Sequence, residues 1–413
     1  MRISRRNFVA YSSGILCSFI PFFPTEARFL KGKYSSQAGL LQQPDNKRVI
    51  VIIHLAGGND WLNTIIPYKD ADYYRQRPNL AISSRSVLRL DDKLAFHPAL
   101  SGLKQLYDRN QLAILLNTGS AEVSLSHQKA NKLRQYVNDS AQITWQGRYA
   151  DCINRNENDR VIFPAINVQP DFSSIDCVER EVGSSKSKDE IVISSLNVNN
   201  RFEFNLDVHY KLTSSSHEGS NDGTSTSGIP SLTDIVLNSY QSDHNIYRQY
   251  NGFAYGMKLI AKAIKEGTNA TIYNISLGGF DTHASQLSQH TVLLDMLSKA
   301  VTDFQNDMGR SGLAHKVLTL ICSEFGRSQR ENNNLGTDHG YINHVLAIGN
   351  SVNGGIYGNR SLSGYGYGNY GQFNNNPKYA FDYRQVPATI LDRWLLCPSE
   401  TILGQSFAAI ALI

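Results

Sequence analysis

The chain has 413 residues, of which 41% are hydrophobic and 18% charged, an ordinary globular composition with ample material for a large buried core. Its formal net charge is only +4, which excludes the strong basic excess expected of a nucleic-acid-binding protein.

The first residues read as an export signal rather than as part of the fold. Ser4-Arg5-Arg6-Asn7-Phe8-Val9 precedes a short apolar run ending near Phe23, and Thr25-Glu26-Ala27 places small residues at cleavage positions. This is a twin-arginine pattern, so residues 1–27 are expected to be a cleaved signal that directs the chain through the twin-arginine translocase, giving a periplasmic or secreted protein. The run is broken by serines and Pro21 and is short for a spanning helix, and Leu16 before Cys17 is a poor lipobox. No stable membrane insertion is expected of the mature chain. Residues 28–47 are polar and read as a flexible lead-in to one domain over 48–413.

Val49–Leu55 is a near-continuous apolar run, the mark of a strand buried on both faces. It ends in Ala56-Gly57-Gly58-Asn59-Asp60, a glycine turn that brings Asp60 to the strand end. Pro98–Tyr107 has helical spacing, with proline suited to the first turn. Leu112–Asn117 is the next buried strand, after which Ser126 can cap a helix running to about Val137. Val161–Val168 reads as another strand. Residues 183–228 are rich in serine and glycine and low in core formers, which suggests a surface insertion. Helices are expected over Leu232–Tyr250, Phe253–Lys265, Thr291–Met308 and Gln385–Leu396, and strands over Ala270–Leu277, Val317–Cys322 and His344–Gly349. The alternation predicts an α/β fold, a doubly wound and mostly parallel sheet with helices on both faces.

Three of these strands, counting Val49–Leu55 with its Asp60, deliver chemistry at their carboxyl ends, where such sheets place their sites. Ala270–Leu277 leads into Gly278-Gly279-Phe280-Asp281-Thr282-His283, and Val317–Cys322 into Ser323-Glu324-Phe325-Gly326-Arg327. Asp338-His339-Gly340 follows soon after. Carboxylates and imidazoles arriving together are what a hydrolytic metal site requires. Each also has a plainer role available: Asp60 as a turn residue, Ser126 as a helix cap, Glu324 and Arg327 as a local ion pair, and His339 in a structural turn. His127 either contacts the site or caps its helix. His54 reads as a core histidine, and His97 as the residue that leads into the helix at Pro98. Tyr365, Tyr367 and Tyr370 form a stripe in a Gly/Tyr-rich loop. Cys322 reads as a small buried hydrophobe, and Cys152 and Cys177 could pair in an oxidising compartment.

The ordered set of motifs resembles the DUF1501 family. Gly57-Gly58-Asn59-Asp60 with Leu62-Asn63-Thr64 and Pro67-Tyr68, Tyr73-Tyr74 with Arg77-Pro78, and Leu90-Asp91-Asp92 with His97-Pro98-Ala99-Leu100 match its opening. Ser126-His127, Gly147-Arg148-Tyr149, Gly279-Phe280-Asp281-Thr282-His283, Ser323-Glu324-Phe325-Gly326-Arg327 and Gly336-Thr337-Asp338-His339-Gly340 continue it, over about 49–407. That family looks like a branch of the alkaline phosphatase and sulfatase superfamily, which implies an α/β core, two divalent metals and a hydroxyl or formylglycine nucleophile. By this resemblance Ser126 is the nucleophile. Asp60 is a first-strand metal ligand, Asp281 and His283 hold one metal, Glu324 holds the other, and His339 is a late ligand. Arg327 would clamp the anion through its planar fork. Zinc or manganese suits this mixed set better than calcium, in one or two sites.

Three features depart from the superfamily pattern. Glu324-Phe325 stands where Asp-His is usual, Asp281 and His283 are only two apart, and the sulfatase Cys-x-Pro-x-Arg motif is missing. The expectation is therefore an exported metal-dependent hydrolase of phosphate or sulfate esters. The alternative is a non-catalytic exported binding or assembly protein that keeps the fold.

Overall fold

Strand β1 (Val49–Leu55) is buried at every residue, as a central strand covered on both faces must be. It sits between β9 (Ile272–Leu277) and β10 (Val317–Cys322), parallel to both. The computed structural model describes residues 47–120, 124–136, 144–154, 165–170, 194–198, 204–208, 252–268, 270–341, 343–358 and 379–413. The expected signal over 1–27, the helix over Leu232–Tyr250, the tyrosine stripe and Cys177 lie outside them.

In chain order the other strands are β2 (Ile65–Ile66), β3 (Leu88–Arg89), β4 (Ala95–Phe96), β5 (Leu112–Gly119), β6 (Ala165–Pro170), β7 (Ser194–Val198) and β8 (Phe204–Val208). After β10 come β11 (Gly326–Glu331), β12 (Thr337–Gly340), β13 (Asn343–Ile348), β14 (Gly355–Tyr357) and β15 (Phe381–Asp382). The main sheet has ten strands in the order β14-β5-β13-β10-β1-β9-β6-β7-β8, with β15 also on β5. Antiparallel pairing isolates β13 and β8; the remaining strands run one way. The carboxyl ends of β1, β5, β9 and β10 therefore lie along the same edge. Within the 183–228 stretch, β7 and β8 extend the sheet beyond β6, and the rest of that stretch is not among the described residues.

The helices are α1 (Trp61–Thr64), α2 (Ala71–Gln76), α3 (Ser101–Asp108), α4 (His127–Tyr136), α5 (Trp145–Asn154), α6 (Gly252–Lys265), α7 (Gln286–Arg310), α8 (Gln385–Thr389) and α9 (Ser399–Leu403). Alternate residues of β1 face opposite sides, and each side has its own core. Val51 and Ile53 pack with Leu103 and Leu106 of α3, Met257 of α6 and Leu297 of α7. Ile50 and Ile52 pack with Trp145 and Tyr149 of α5, Val386 of α8 and Leu403 of α9. Helices thus cover both faces of a mostly parallel sheet, the α/β architecture expected from the alternating pattern. Each fully buried aliphatic side chain of β1 contributes roughly 1.5–3 kcal/mol by leaving water.

Candidate metal centre

Four loops from the shared sheet edge meet around the carboxylate of Asp281. The glycine turn after β1 makes that approach possible. A Cβ on Gly57, at φ +116°, would lie 2.3 Å from the backbone nitrogen of Asp281, so the β1 and β9 loops touch only because that position is bare. Gly58, at φ +78°, likewise leaves room for the ring of Phe325.

Asp281 Oδ1 lies 3.0 Å from Nε2 of His283 and 3.1 Å from Nε2 of His339, while Oδ2 lies 3.5 Å from Nε2 of His127. The Nε2 atoms of His283 and His339 are themselves 3.0 Å apart. A cation held at about 2.0–2.1 Å from imidazole nitrogen and a carboxylate oxygen in a tetrahedron spaces its ligand atoms roughly 3.3 Å from each other. The observed separations bracket that spacing. The ligand atoms of His127, Asp281 and His339 all lie within 4.8 Å of one another.

The other ring nitrogens explain why each Nε2 points inward. Nδ1 of His127 lies 2.8 Å from Glu324 Oε1, and Nδ1 of His339 lies 2.8 Å from the carbonyl oxygen of Leu125. Nδ1 of His283 faces Asp338 Oδ1 at 3.6 Å. An acceptor at Nδ1 fixes a proton there, so that a metal would displace only the Nε2 proton that otherwise bonds Asp281, and carboxylate acceptors also raise the ligand's basicity. The rings of His127 and His339 stand edge to face, 4.7 Å apart by their centroids. Phe325 covers both at 4.8 and 4.5 Å.

Both carboxylates at the centre are held in their charged form. Burial favours a neutral Asp281, but bonds from His127, His339 and Arg327 outweigh it and hold the carboxyl well below its usual range. Glu324 is almost fully buried, yet bonds from His127 and His54 hold it charged as well. Bonding to Asp281 and then to Glu324 raises His127 to about 9. An imidazolium thus lies between two carboxylates, and a divalent ion bound at Nε2 would take the place of its proton. Burial, followed by the charge of Arg327, lowers His283 and favours its neutral, ligating form.

The expected site residues divide. Asp281, His283 and His339 come together, and they are joined by His127, whose role the sequence left open. Glu324 stands one layer back: Oε1 takes the Gly57 amide at 2.8 Å and Nδ1 of His127, and Oε2 faces His54 at 3.1 Å and Ser323 Oγ at 3.0 Å. Glu324 orients the His127 ring, and His54 is a partner in this layer.

Asp60 is also placed elsewhere. Its Oδ2 takes Nη1 of Arg77 at 2.6 Å and the Gln286 amide, its Oδ1 caps α1 through the Leu62 amide at 3.2 Å, and the side chain is 1% exposed. A buried guanidinium already neutralises this carboxylate, and Asp60 is not in the group of ligand atoms that converges at Asp281. Arg327 requires the same kind of correction. Its side chain is inaccessible, and it donates to the carbonyls of Gly58 at 2.7 Å, Thr337 at 2.9 Å, Phe280 at 3.0 Å and Gly57, as well as to Asp281. A fork engaged in this way fastens the loops together and presents no face to an anion.

Ser126 is exposed immediately before α4, between Leu125 and His127, both of which touch the centre. Its carbonyl accepts the Ala130 amide at 2.8 Å, the first turn of that helix. Arg77, Gln286 and His290 carry no site signal in the sequence beyond the place of Arg77 in the Tyr73-Tyr74 and Arg77-Pro78 motif.

The family model of DUF1501, described as a protein of unknown function, matches residues 195–373. That span holds Asp281, His283, Glu324, Arg327 and His339, and it is narrower than the 49–407 over which the motifs were read. No curated protein matches the chain. Among solved structures, the PsFucS1 sulfatase of Pseudoalteromonas sp. is 11% identical, with 94% of this chain and 75% of that one covered and a TM-score of 0.39. A protein in the alkaline phosphatase superfamily from Vibrio parahaemolyticus is 8% identical over 88% of this chain and 71% of its own, with a TM-score of 0.34. The C-terminal periplasmic domain of EcEptC from Escherichia coli, in complex with Zn, is 8% identical over 75% of this chain and 74% of its own, with a TM-score of 0.33.

Proposed function

On a chain whose residues 195–373 match DUF1501, we propose that the Asp281 cluster is a divalent-metal centre and that the protein is an exported metal-dependent hydrolase of phosphate or sulfate esters. The observation that carries this reading is the convergence of three Nε2 atoms on one carboxylate, each with its Nδ1 facing an acceptor. Imidazole and carboxylate ligands fit zinc or manganese. His127, Asp281 and His339 would hold the ion, with His283 as the adjacent fourth donor. The bound ion would polarise an ester oxygen and lower the pKa of a nearby hydroxyl.

The chain's own groups provide the remainder. Glu324 and the Leu125 carbonyl keep two imidazoles in one tautomer. Arg327 holds the β1, β9 and β12 loops at fixed spacing, and Phe325 excludes water from one side of the histidines. Ser126 stands exposed at the amino end of α4, where helix amides favour negative charge, and is the candidate nucleophile. Export rests on the Ser4–Val9 pattern. No helix among the described residues is long and apolar enough to cross a membrane.

Full-length protein purified without chelator is expected to contain metal and to hydrolyse one member of a broad phosphate and sulfate ester panel. Ser126→Ala should abolish turnover while keeping the metal. Absence of both metal and hydrolysis would sink the reading. The sealed Arg327 favours a second reading, a non-catalytic binding protein that retains the metal shell. Glycan-array binding that survives Ser126→Ala and Asp281→Ala, with no ester cleaved, would select it.

A further inference from the structure

Far in sequence from the metal centre, two cysteines meet. Cys152 lies on α5 and Cys397 lies between α8 and α9, 245 positions apart in sequence, yet their Sγ atoms are 3.7 Å from each other. Both belong to the same apolar cluster, with Trp145 and Tyr149 of α5 on one side and Trp394, Ile402 and Leu403 on the other. Arg148 adds a bond from α5 to the carbonyl of Ile402 at 3.3 Å. The two thiols are therefore held at one place by packing on both sides, and neither is needed by the metal centre. Cys397 is buried and Cys152 half-buried.

We propose that Cys152 and Cys397 form a structural disulfide when the folded chain meets a disulfide donor, clamping α5 to the C-terminal segment. The step is thiol–disulfide exchange. The thiolate of Cys152, the more accessible of the two, attacks the donor disulfide and releases one donor thiol. The thiolate of Cys397 then attacks Cys152 Sγ in the mixed disulfide, forming the new S–S bond and releasing the second donor thiol. Two electrons pass to the donor and two protons leave the cysteines. The neighbouring Cys152 sulfur, and then burial, push the Cys397 thiol well up, so this second displacement should be slow at neutral pH and faster in alkali. The pairing differs from the Cys152–Cys177 bond suggested by the sequence. It closes a loop of more than half the chain, which in the chain-entropy account belongs among the more stabilising cross-links.

The test is a non-reducing peptide map of full-length protein equilibrated in oxidised and reduced glutathione, with iodoacetamide trapping of free thiols. A cross-linked peptide pair containing Cys152 and Cys397 is expected. Reduction should lower the thermal midpoint by about 5–10 °C. Cys152→Ser and Cys397→Ser should each remove that dependence on reductant, and the wild-type map stands even if either variant folds poorly. Alkylated Cys397 in the oxidised sample, or Cys152 found linked to Cys177, would overturn the proposal.

Discussion

Two carboxylates at neighbouring strand ends, Asp60 and Asp281, look equivalent in the sequence and have opposite fates in the fold. Asp60 faces Arg77, and both side chains are closed to solvent. Asp281 is about one-third exposed and faces three imidazoles, with Arg327 behind it. Gln286 joins the two regions. Its Nε2 donates to Asp60, and its Oε1 accepts from Thr282 beside Asp281 at 3.0 Å and from Thr337 at 2.6 Å. The difference lies in the partner. A guanidinium is permanently charged and cannot be displaced from a dry site, whereas imidazoles can give up a proton and take a metal. The closed pair gives the loops their positions, and the open cluster keeps its polar atoms within reach of solvent.

The largest effect should come from breaking the closed region. Arg77→Ala leaves Asp60 charged, buried and unpaired, and should cost about 3–5 kcal/mol of stability in denaturant unfolding. A loss below about 1 kcal/mol would mean that the pair does not anchor the loops.

Acid should attack the same region next. Burial lowers His97 to about 4, His290 to about 3 and His344 to about 4, all below their unfolded value of about 6.5. Between those values the unfolded chain binds more protons than the folded one. Stability is therefore full above about pH 6.5 and falls as pH drops towards 4, by up to roughly 1.4 kcal/mol per pH unit for each histidine. Chemical denaturation at a series of pH values checks this, and a flat profile from pH 7 to 4.5 would contradict it.

Glu324→Gln sharpens the contrast from the other side, because Glu324 orients His127 without belonging to the set of ligand atoms that converge. Metal affinity, read by competition with a chromophoric chelator, should weaken about tenfold to a hundredfold and not vanish. Complete loss would make Glu324 a ligand after all.

How much of this was legible in the sequence depends on how local the cause was. β1 and β10 were read to the residue, because a β-branched run buried on both faces carries its own boundaries. α7 was read from Thr291, yet begins at Gln286. Its first turns carry the buried polar residues Gln286 and His290, which face Asp60 and Asn59 and hide the apolar period. Asp281, His283 and His339 were legible as a group because they follow closely along the chain, in the loop after β9 and in β12 of the next hairpin. His127 was undecidable from sequence, since the carboxylate that orients it is 197 positions away. The partners of Asp60 and Arg327 were hidden from the sequence for the same physical reason. Side-chain type shows what a residue could bind, but only the fold shows that Arg77 and four carbonyls already occupy these two.

The contrast between the two carboxylates can be tested most directly by counting metal. Full-length wild type, Asp281→Asn and Asp60→Asn, each folded and purified without chelator, would be compared by elemental mass spectrometry. The expected result is one divalent ion per chain in the wild type, none in Asp281→Asn, and close to one in Asp60→Asn. Metal-free wild type, or equal loss in both variants, would contradict the account.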